Sequence, residues 1–270
     1  MQERNIYSDI AKRTQGDIYI GVVGPVRTGK STFIKRFMDA LVLPNIESQS
    51  VRDRATDELP QSAAGRTIMT TEPKFIPEEA VKIELEQGAQ LNVRLIDCVG
   101  YIVPSSLGYI ENEQPRMVMT PWFEQEIPFN MAAEIGTQKV IQEHSTIGLV
   151  VTTDGSITDL PRAEYAECEQ RVIAELQELG KPFAVLLNCL DPHTAAAKAM
   201  AEQLSQQYQA PVLPVSCPDL DENDICQILT ELLRVFPVRE INVCMPRWIS
   251  SLEKSHWLRE SVFSCIRQAA

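Results

Sequence analysis

The chain lacks any apolar run approaching the roughly 18 residues that a membrane span needs. Residues 1–16 are polar and hold no apolar stretch of the kind a secretory signal carries. Positive charge is scarce: 25 Lys and Arg stand against 37 Asp and Glu, a formal net charge of −12 over 270 residues. Nonspecific nucleic-acid binding requires clustered Lys and Arg, so nucleic acid is not an expected partner. There are 3 histidines, His144, His193 and His256, in no pattern that makes a site. The 7 cysteines (98, 168, 189, 217, 226, 244 and 265) are odd in number and include no C-x-x-C pair. A zinc site and a disulfide framework are both disfavoured, and free thiols in a reducing compartment are expected. Together these absences predict a soluble, cytoplasmic protein with no transmembrane segment.

What is present is concentrated in one segment. Gly24-Pro25-Val26-Arg27-Thr28-Gly29-Lys30-Ser31 matches the phosphate-binding pattern G-x-x-x-x-G-K-[ST], and Thr32 follows it. Backbone N–H groups of such a loop wrap a β-phosphate, and the next helix directs its positive end at it. Lys30 is expected to reach the β/γ-phosphate oxygens, and the Ser31 hydroxyl to ligand Mg²⁺. The context fits. An apolar run, Ile18 to Val23, precedes the loop, and Phe33, Ile34, Phe37, Met38 and Leu41 follow it on one helical face.

Apolar strands alternate with helical stretches over most of the length, which predicts an α/β three-layer sandwich with a mostly parallel sheet. Strands are expected near 80–86, 90–97, 146–152, 183–188 and 211–216, and helices near 131–143, 163–179, 193–208 and 223–236. The joint Gln87-Gly88-Ala89 is so short that its two strands should form a hairpin, which makes one strand antiparallel. Residues 44–73 and 100–130 read as long connections, placed where nucleotide switches put the segments that respond to a γ-phosphate. Residues 1–240 read as the nucleotide domain. In 241–270, Trp248, Ile249, Leu252, Trp257, Leu258 and Phe263 suggest an amphipathic helical extension.

Leu95-Ile96-Asp97-Cys98-Val99-Gly100 has the form apolar-apolar-D-x-x-G. Asp97 at a strand end would hold the Mg²⁺ shell, and Gly100 would offer its N–H to the γ-phosphate. Thr67, Thr70 and Thr71 lie in the first long connection, with Thr70 and Thr71 the better pair for Mg²⁺ coordination and γ-phosphate sensing; loop threonines capping turns are the alternative. Arg27 either supplies positive charge in cis or is a solvated loop charge. Val26 would crowd an arginine offered by a partner.

The base-reading end departs from the guanine pattern N-K-x-D: here it is Asn188-Cys189-Leu190-Asp191, and the usual Ser-Ala-Lys is Ser216-Cys217-Pro218. Asp191 is either a base contact or a helix N-cap ahead of Pro192. Tyr101 stands where many relatives place a water-orienting Gln, which implies slow turnover.

Several strings resemble the stage IV sporulation protein A family. They are the loop with its Val-Arg-Thr interior, Asp57 to Gly65, Thr67 to Lys74, Asp97 to Tyr101, Ile141 to Gly148 and His256 to Ser261. The resemblance runs from about residue 6 to the end. It implies a small-GTPase-like, translation-factor-related P-loop domain that hydrolyses ATP with Mg²⁺. Hydrolysis would drive self-association into the basement layer of the spore coat. The protein would be made in the mother cell and lie peripherally at the forespore outer surface. Lys30 would carry over as the nucleotide-binding Lys, Asp97 as the Mg²⁺ residue, and Thr70 and Thr71 as the γ-phosphate-sensing threonines. Partners would be spore-coat proteins and a small amphipathic membrane-bound sporulation peptide, met through regions beyond this length. Family members continue with a middle and a C-terminal region, so the chain is expected to be a fragment or a shortened relative. Two other readings stay open: a GTP-binding switch, favoured by Asn188 and Asp191 and opposed by Cys189 and Cys217, and a nucleotide-binding scaffold without turnover.

Overall fold

The computed structural model describes residues 17–60, 72–85, 89–106, 108–111, 114–236, 245, 247–253 and 255–269. The central sheet has six strands: β1 (Asp17–Val23), β2 (Lys74–Leu85), β3 (Ala89–Asp97), β4 (Ile147–Thr153), β5 (Phe183–Asn188) and β6 (Val212–Val215). Their order is β6-β5-β4-β1-β3-β2. All neighbours are parallel except β2 and β3, which pair antiparallel as the short joint predicted. β4 and β5 are buried at every position, as a strand covered on both faces must be.

The pleat sorts side chains between the two faces. Ile18, Ile20 and Val22 of β1, with Leu149, Val151, Ala184 and Leu186, pack in one cluster with Phe33, Ile34 and Phe37 of α1 (Lys30–Phe37). Ile225, Ile228 and Leu229 of α6 (Glu222–Val235) join them. Val150, Val185 and Leu187 point the other way. They meet Val172, Ile173 and Leu176 of α4 (Ala166–Glu178), and Ala201 and Leu204 of α5 (Ala195–Tyr208). Each such side chain removed from water contributes roughly 1.5–3 kcal/mol. A third cluster joins Val26, Val99 and Val103 to Phe129 and Ala133 of α3 (Phe129–Lys139), with Tyr165.

Two expectations need refinement. The stretch 44–73 contains a helix, α2 (Gln49–Asp57). Ala55 is its one buried residue and Val51, one turn earlier, packs partly buried on the same cluster, a stripe too short to register as periodicity; Gln49 donating to Asp53 and Arg52 donating to the Ile46 carbonyl add polar support. Within 100–130, two short antiparallel pairs form, 110–111 with 114–115 and 117–118 with 127–128.

β6 is the last strand on its side of the sheet. The carbonyls of Pro211 and Val215 accept from Val185 and Cys189 of the β5 side, so the alternate residues Val212 and Pro214 turn their backbone groups away from β5. Proline is tolerated there because no ladder bond is lost.

The chain divides into two compact units, 1–236 and 237–270. In the second, the described residues form two helices, α7 (Arg247–Ser251) and α8 (Trp257–Ala269). Leu258 N–H donates to His256 Nδ1, which caps the start of α8. Among the described residues no helix is long and apolar enough to cross a membrane.

Candidate functional site

The chain leaves β1 for α1 and the edge pair on one side, and returns to β4 on the other, so the carboxyl end of β1 is the point where strand order reverses. Ligands of open α/β sheets bind at such points. The loop 24–29 lies there. Its fourth residue, Arg27, takes a left-handed φ of 61°, and Thr28 Oγ1 donates to the Pro25 carbonyl at 3.0 Å, bracing the turn from within. Gly29 caps α1 without a side-chain acceptor, and the first turn carries no acidic residue. The leading N–H groups of α1 are therefore offered to an external anion.

Lys30 is buried. Its Nζ donates to Pro25 O at 2.6 Å and Gly24 O at 3.3 Å. Burial lowers its pKa, opposed by the charges of Cys98 and Asp97. Ser31 Oγ donates to Asp97 Oδ2 at 2.6 Å, while Asp97 Oδ1 is covered and has no partner. Burial raises the Asp97 pKa; the Ser31 bond and the Lys30 ammonium pull it back. A covered carboxylate oxygen without a donor, beside a serine hydroxyl, fits a hard divalent cation that takes its remaining ligands from phosphate and water. Among the described residues no cluster of three or more His, Cys, Asp or Glu could hold a metal by itself.

Gly100 closes the site from β3. Its φ is +89°, and a Cβ there would stand 2.0 Å from Gly24 O and 2.6 Å from Lys30 Nζ, so only glycine fits. The next residue is bridged to the loop: Val26 N–H donates to Tyr101 O at 3.0 Å. The Tyr101 side chain runs the other way, buried, with its hydroxyl donating to Glu175.

Asn188 ends β5 with both ends of its amide committed. Nδ2 donates to Thr28 O at 2.9 Å, and Oδ1 accepts from Cys217 N–H at 3.0 Å. Cys189, at the lysine position of the guanine pattern, is turned inward and donates its thiol to Val215 O. Asp191 is exposed and accepts from His193 N–H, while the cap of α5 is Thr194. The N-cap alternative for Asp191 thus gives way to its neighbour, whose hydroxyl reaches Ala197 N–H.

The structure thus brings together Gly24 to Thr32, Asp97, Gly100 and Asn188, and leaves Asp191 at the rim. Thr67, Thr70 and Thr71 lie outside the described residues. Sequence reasoning missed Glu175 and Arg171, which hold Tyr101; charges one turn apart on a helix give no sign of what they face.

Strand order, loop and strand-end aspartate define a P-loop nucleotide-binding domain of the small-GTPase-like kind. The family described as stage IV sporulation protein A, ATPase domain, matches residues 1–237. The chain is 55% identical over 268 residues to stage IV sporulation protein A of Bacillus anthracis, and 54% identical over 268 residues to that of Bacillus subtilis (strain 168). In each case 99% of this chain and 54% of the relative are covered. The Clostridioides difficile (strain 630) protein is 51% identical over 265 residues, covering 98% of this chain and 54% of the relative. The chain belongs to the stage IV sporulation protein A family and spans about half the length of these relatives. Among solved structures, a mutation variant of SsGBP aligns with a TM-score of 0.43 at 16% identity, over 83% of this chain and 58% of that one. The FeoB G-domain from Methanococcus jannaschii aligns at 0.40 and 12%, over 81% and 98%.

Proposed function

We propose that the chain binds ATP with Mg²⁺ at the Gly24–Thr32 loop and hydrolyses it, and that hydrolysis drives the protein's self-assembly into the spore-coat basement layer. The observation that carries the nucleotide reading is Asp97. Its Oδ1 is covered and unpaired beside the Ser31 hydroxyl, at the start of a helix whose leading N–H groups have no side-chain cap. Ser31 and Asp97, with Thr70, would hold Mg²⁺, which when bound neutralises charge on the β- and γ-phosphates. Lys30 would direct its remaining proton at the same oxygens, and the Gly100 N–H would meet the γ-phosphate, with Thr71 sensing it from the first connection. Arg27 would supply positive charge in cis. Tyr101 has its hydroxyl on Glu175 and cannot orient water, so turnover would be slow.

Assembly, the mother-cell cytoplasm and the forespore surface come from the family resemblance. So do the coat proteins and the small amphipathic membrane-bound peptide, which would meet parts of the longer relatives outside this span. Asn188 and Asp191 favour a second reading, a GTP switch; the inward turn of Cys189 weighs against it.

The test is Mg²⁺-dependent phosphate release from ATP and GTP, with Lys30→Ala as the blank. ATP turnover that disappears in Lys30→Ala, falls about 10-fold in Arg27→Ala and exceeds GTP turnover is the expected result. Faster GTP turnover would make the protein a switch, and none with either would make it a scaffold.

A further inference from the structure

We propose that Tyr101 is a positioning residue that couples the γ-phosphate end of the nucleotide site to helices α3 and α4 through Glu175, Arg171 and Glu134. The proposal rests on the nucleotide reading above and concerns how that site communicates.

Tyr101 is clamped at both ends. Its backbone carbonyl accepts from Val26 N–H in the phosphate loop, and its buried hydroxyl donates to Glu175 Oε1 on α4. Arg171, one turn before Glu175, lies with its guanidinium carbon 4.6 Å from the Tyr101 ring centroid. The same guanidinium reaches Glu175 at 3.6 Å and Glu134 on α3 at 2.9 Å. Gln138 of α3 also donates to Glu175. One residue beyond Gly100, the chain therefore enters a network spanning two helices. Burial and the adjacent carboxylate push the phenol pKa far up, so the hydroxyl stays a donor throughout the working pH range.

The phosphate end makes this network responsive. A phosphate oxygen meets a Lys ammonium at about 2.8 Å. Lys30 Nζ already faces Gly24 O, Pro25 O and the position that a Cβ on Gly100 would take. The Gly100 N–H, one residue before Tyr101, would meet the third phosphate of a triphosphate, so that phosphate would draw on the segment Tyr101 anchors. A shift of that segment would pull on the phenol held by Glu175 and, through the guanidinium over its ring, on the Arg171–Glu134 pair. A diphosphate has no γ-phosphate for the Gly100 N–H to meet.

The experiment compares equilibrium binding of ADP and of a non-hydrolysable ATP analogue to the full chain and three variants. Tyr101→Phe deletes only the hydroxyl, Glu175→Ala removes its acceptor, and Glu175→Gln keeps an acceptor oxygen. In Tyr101→Phe and Glu175→Ala the analogue should gain about 5-fold or more over ADP, while Glu175→Gln stays within about 2-fold of wild type. Backbone hydrogen exchange in 129–139 and 166–178 should differ between analogue and ADP in the wild type, and lose that difference in Tyr101→Phe. Unchanged affinity ratios overturn the coupling, as does a wild-type exchange pattern indifferent to the third phosphate. That wild-type comparison decides the matter even if a variant fails to fold. Failure of the folded wild type to bind either nucleotide overturns the nucleotide reading itself, and the coupling with it. A merely structural tyrosine would lower the melting temperature and leave the ratio alone.

Discussion

Ser31 Oγ donates to Asp97 Oδ2 at 2.6 Å, joining positions 66 residues apart, and the other carboxylate oxygen of Asp97 remains covered with nothing to accept from. One bond ties the start of α1 to the end of β3, and one orphaned oxygen marks what the pair lacks.

Asp97→Asn should trade activity for stability. Burial raises the Asp97 pKa, so the folded protein takes up this proton at higher pH than the unfolded chain. The stability associated with it is complete below the unfolded carboxylate value, about 3.9, and is lost as pH rises through the folded value. Asparagine carries no such charge. In Mg²⁺-free buffer the variant should melt above wild type at neutral pH, and the two should converge near pH 4. Mg²⁺ with nucleotide should stabilise wild type and not the variant. Turnover should fall about 100-fold, the loss of roughly 2.7 kcal/mol of transition-state stabilisation. A thermal-shift series across pH, with and without Mg²⁺, reads every part of this.

Asn188→Ala should cost both halves of a brace. It would leave the Thr28 carbonyl and the Cys217 N–H without their present partner, at a site where Asn188 itself is 3% exposed. Each buried group left unpaired costs about 1–3 kcal/mol. Two such groups cost about 2–6 kcal/mol, which lowers the melting temperature by roughly 4–24 °C, together with weaker nucleotide binding. Asn188→Asp keeps the acceptor for Cys217 but sets oxygen against oxygen at Thr28. It too should destabilise at neutral pH, and differential scanning calorimetry separates both from wild type.

The thiols should divide sharply in reactivity. Burial pushes Cys98 and Cys189 up to about 11 and Cys217 up to about 12, whereas Cys265 is exposed. Thiolate is the reacting form. Brief alkylation at pH 8 followed by mass mapping should label Cys265 and spare the other three until the protein is unfolded. Rapid labelling of Cys189 in the native protein would contradict its inward orientation beside Val215.

Much of this was legible in the residues. Ile18 to Val23, the glycine loop and the Phe33–Phe37 face announced strand, turn and helix because apolar period and glycine placement act locally. The β2–β3 hairpin followed from a joint too short to cross the sheet. Helix α2 was not legible: its apolar stripe within the helix is only Val51 and Ala55, one turn apart, set among charged residues. Nor was the orientation of Tyr101. Its partner Glu175 lies 74 positions away and looks like any solvated helical carboxylate until α4 packs on the sheet. Cys189 was read as a missing lysine, whereas its inward turn comes from the thiol's contact with the neighbouring strand.

Pro214 carries a consequence for assembly. On the side of β6 away from β5 it presents a carbonyl but no amide hydrogen, so a neighbouring chain cannot zip onto that edge in a continuous ladder. If copies of this protein polymerise, they do not do so by growing one sheet across molecules through β6. Copies that meet elsewhere, side chain to side chain, would stay discrete folded bodies, free to choose geometry by surface shape rather than having it dictated by backbone repeat.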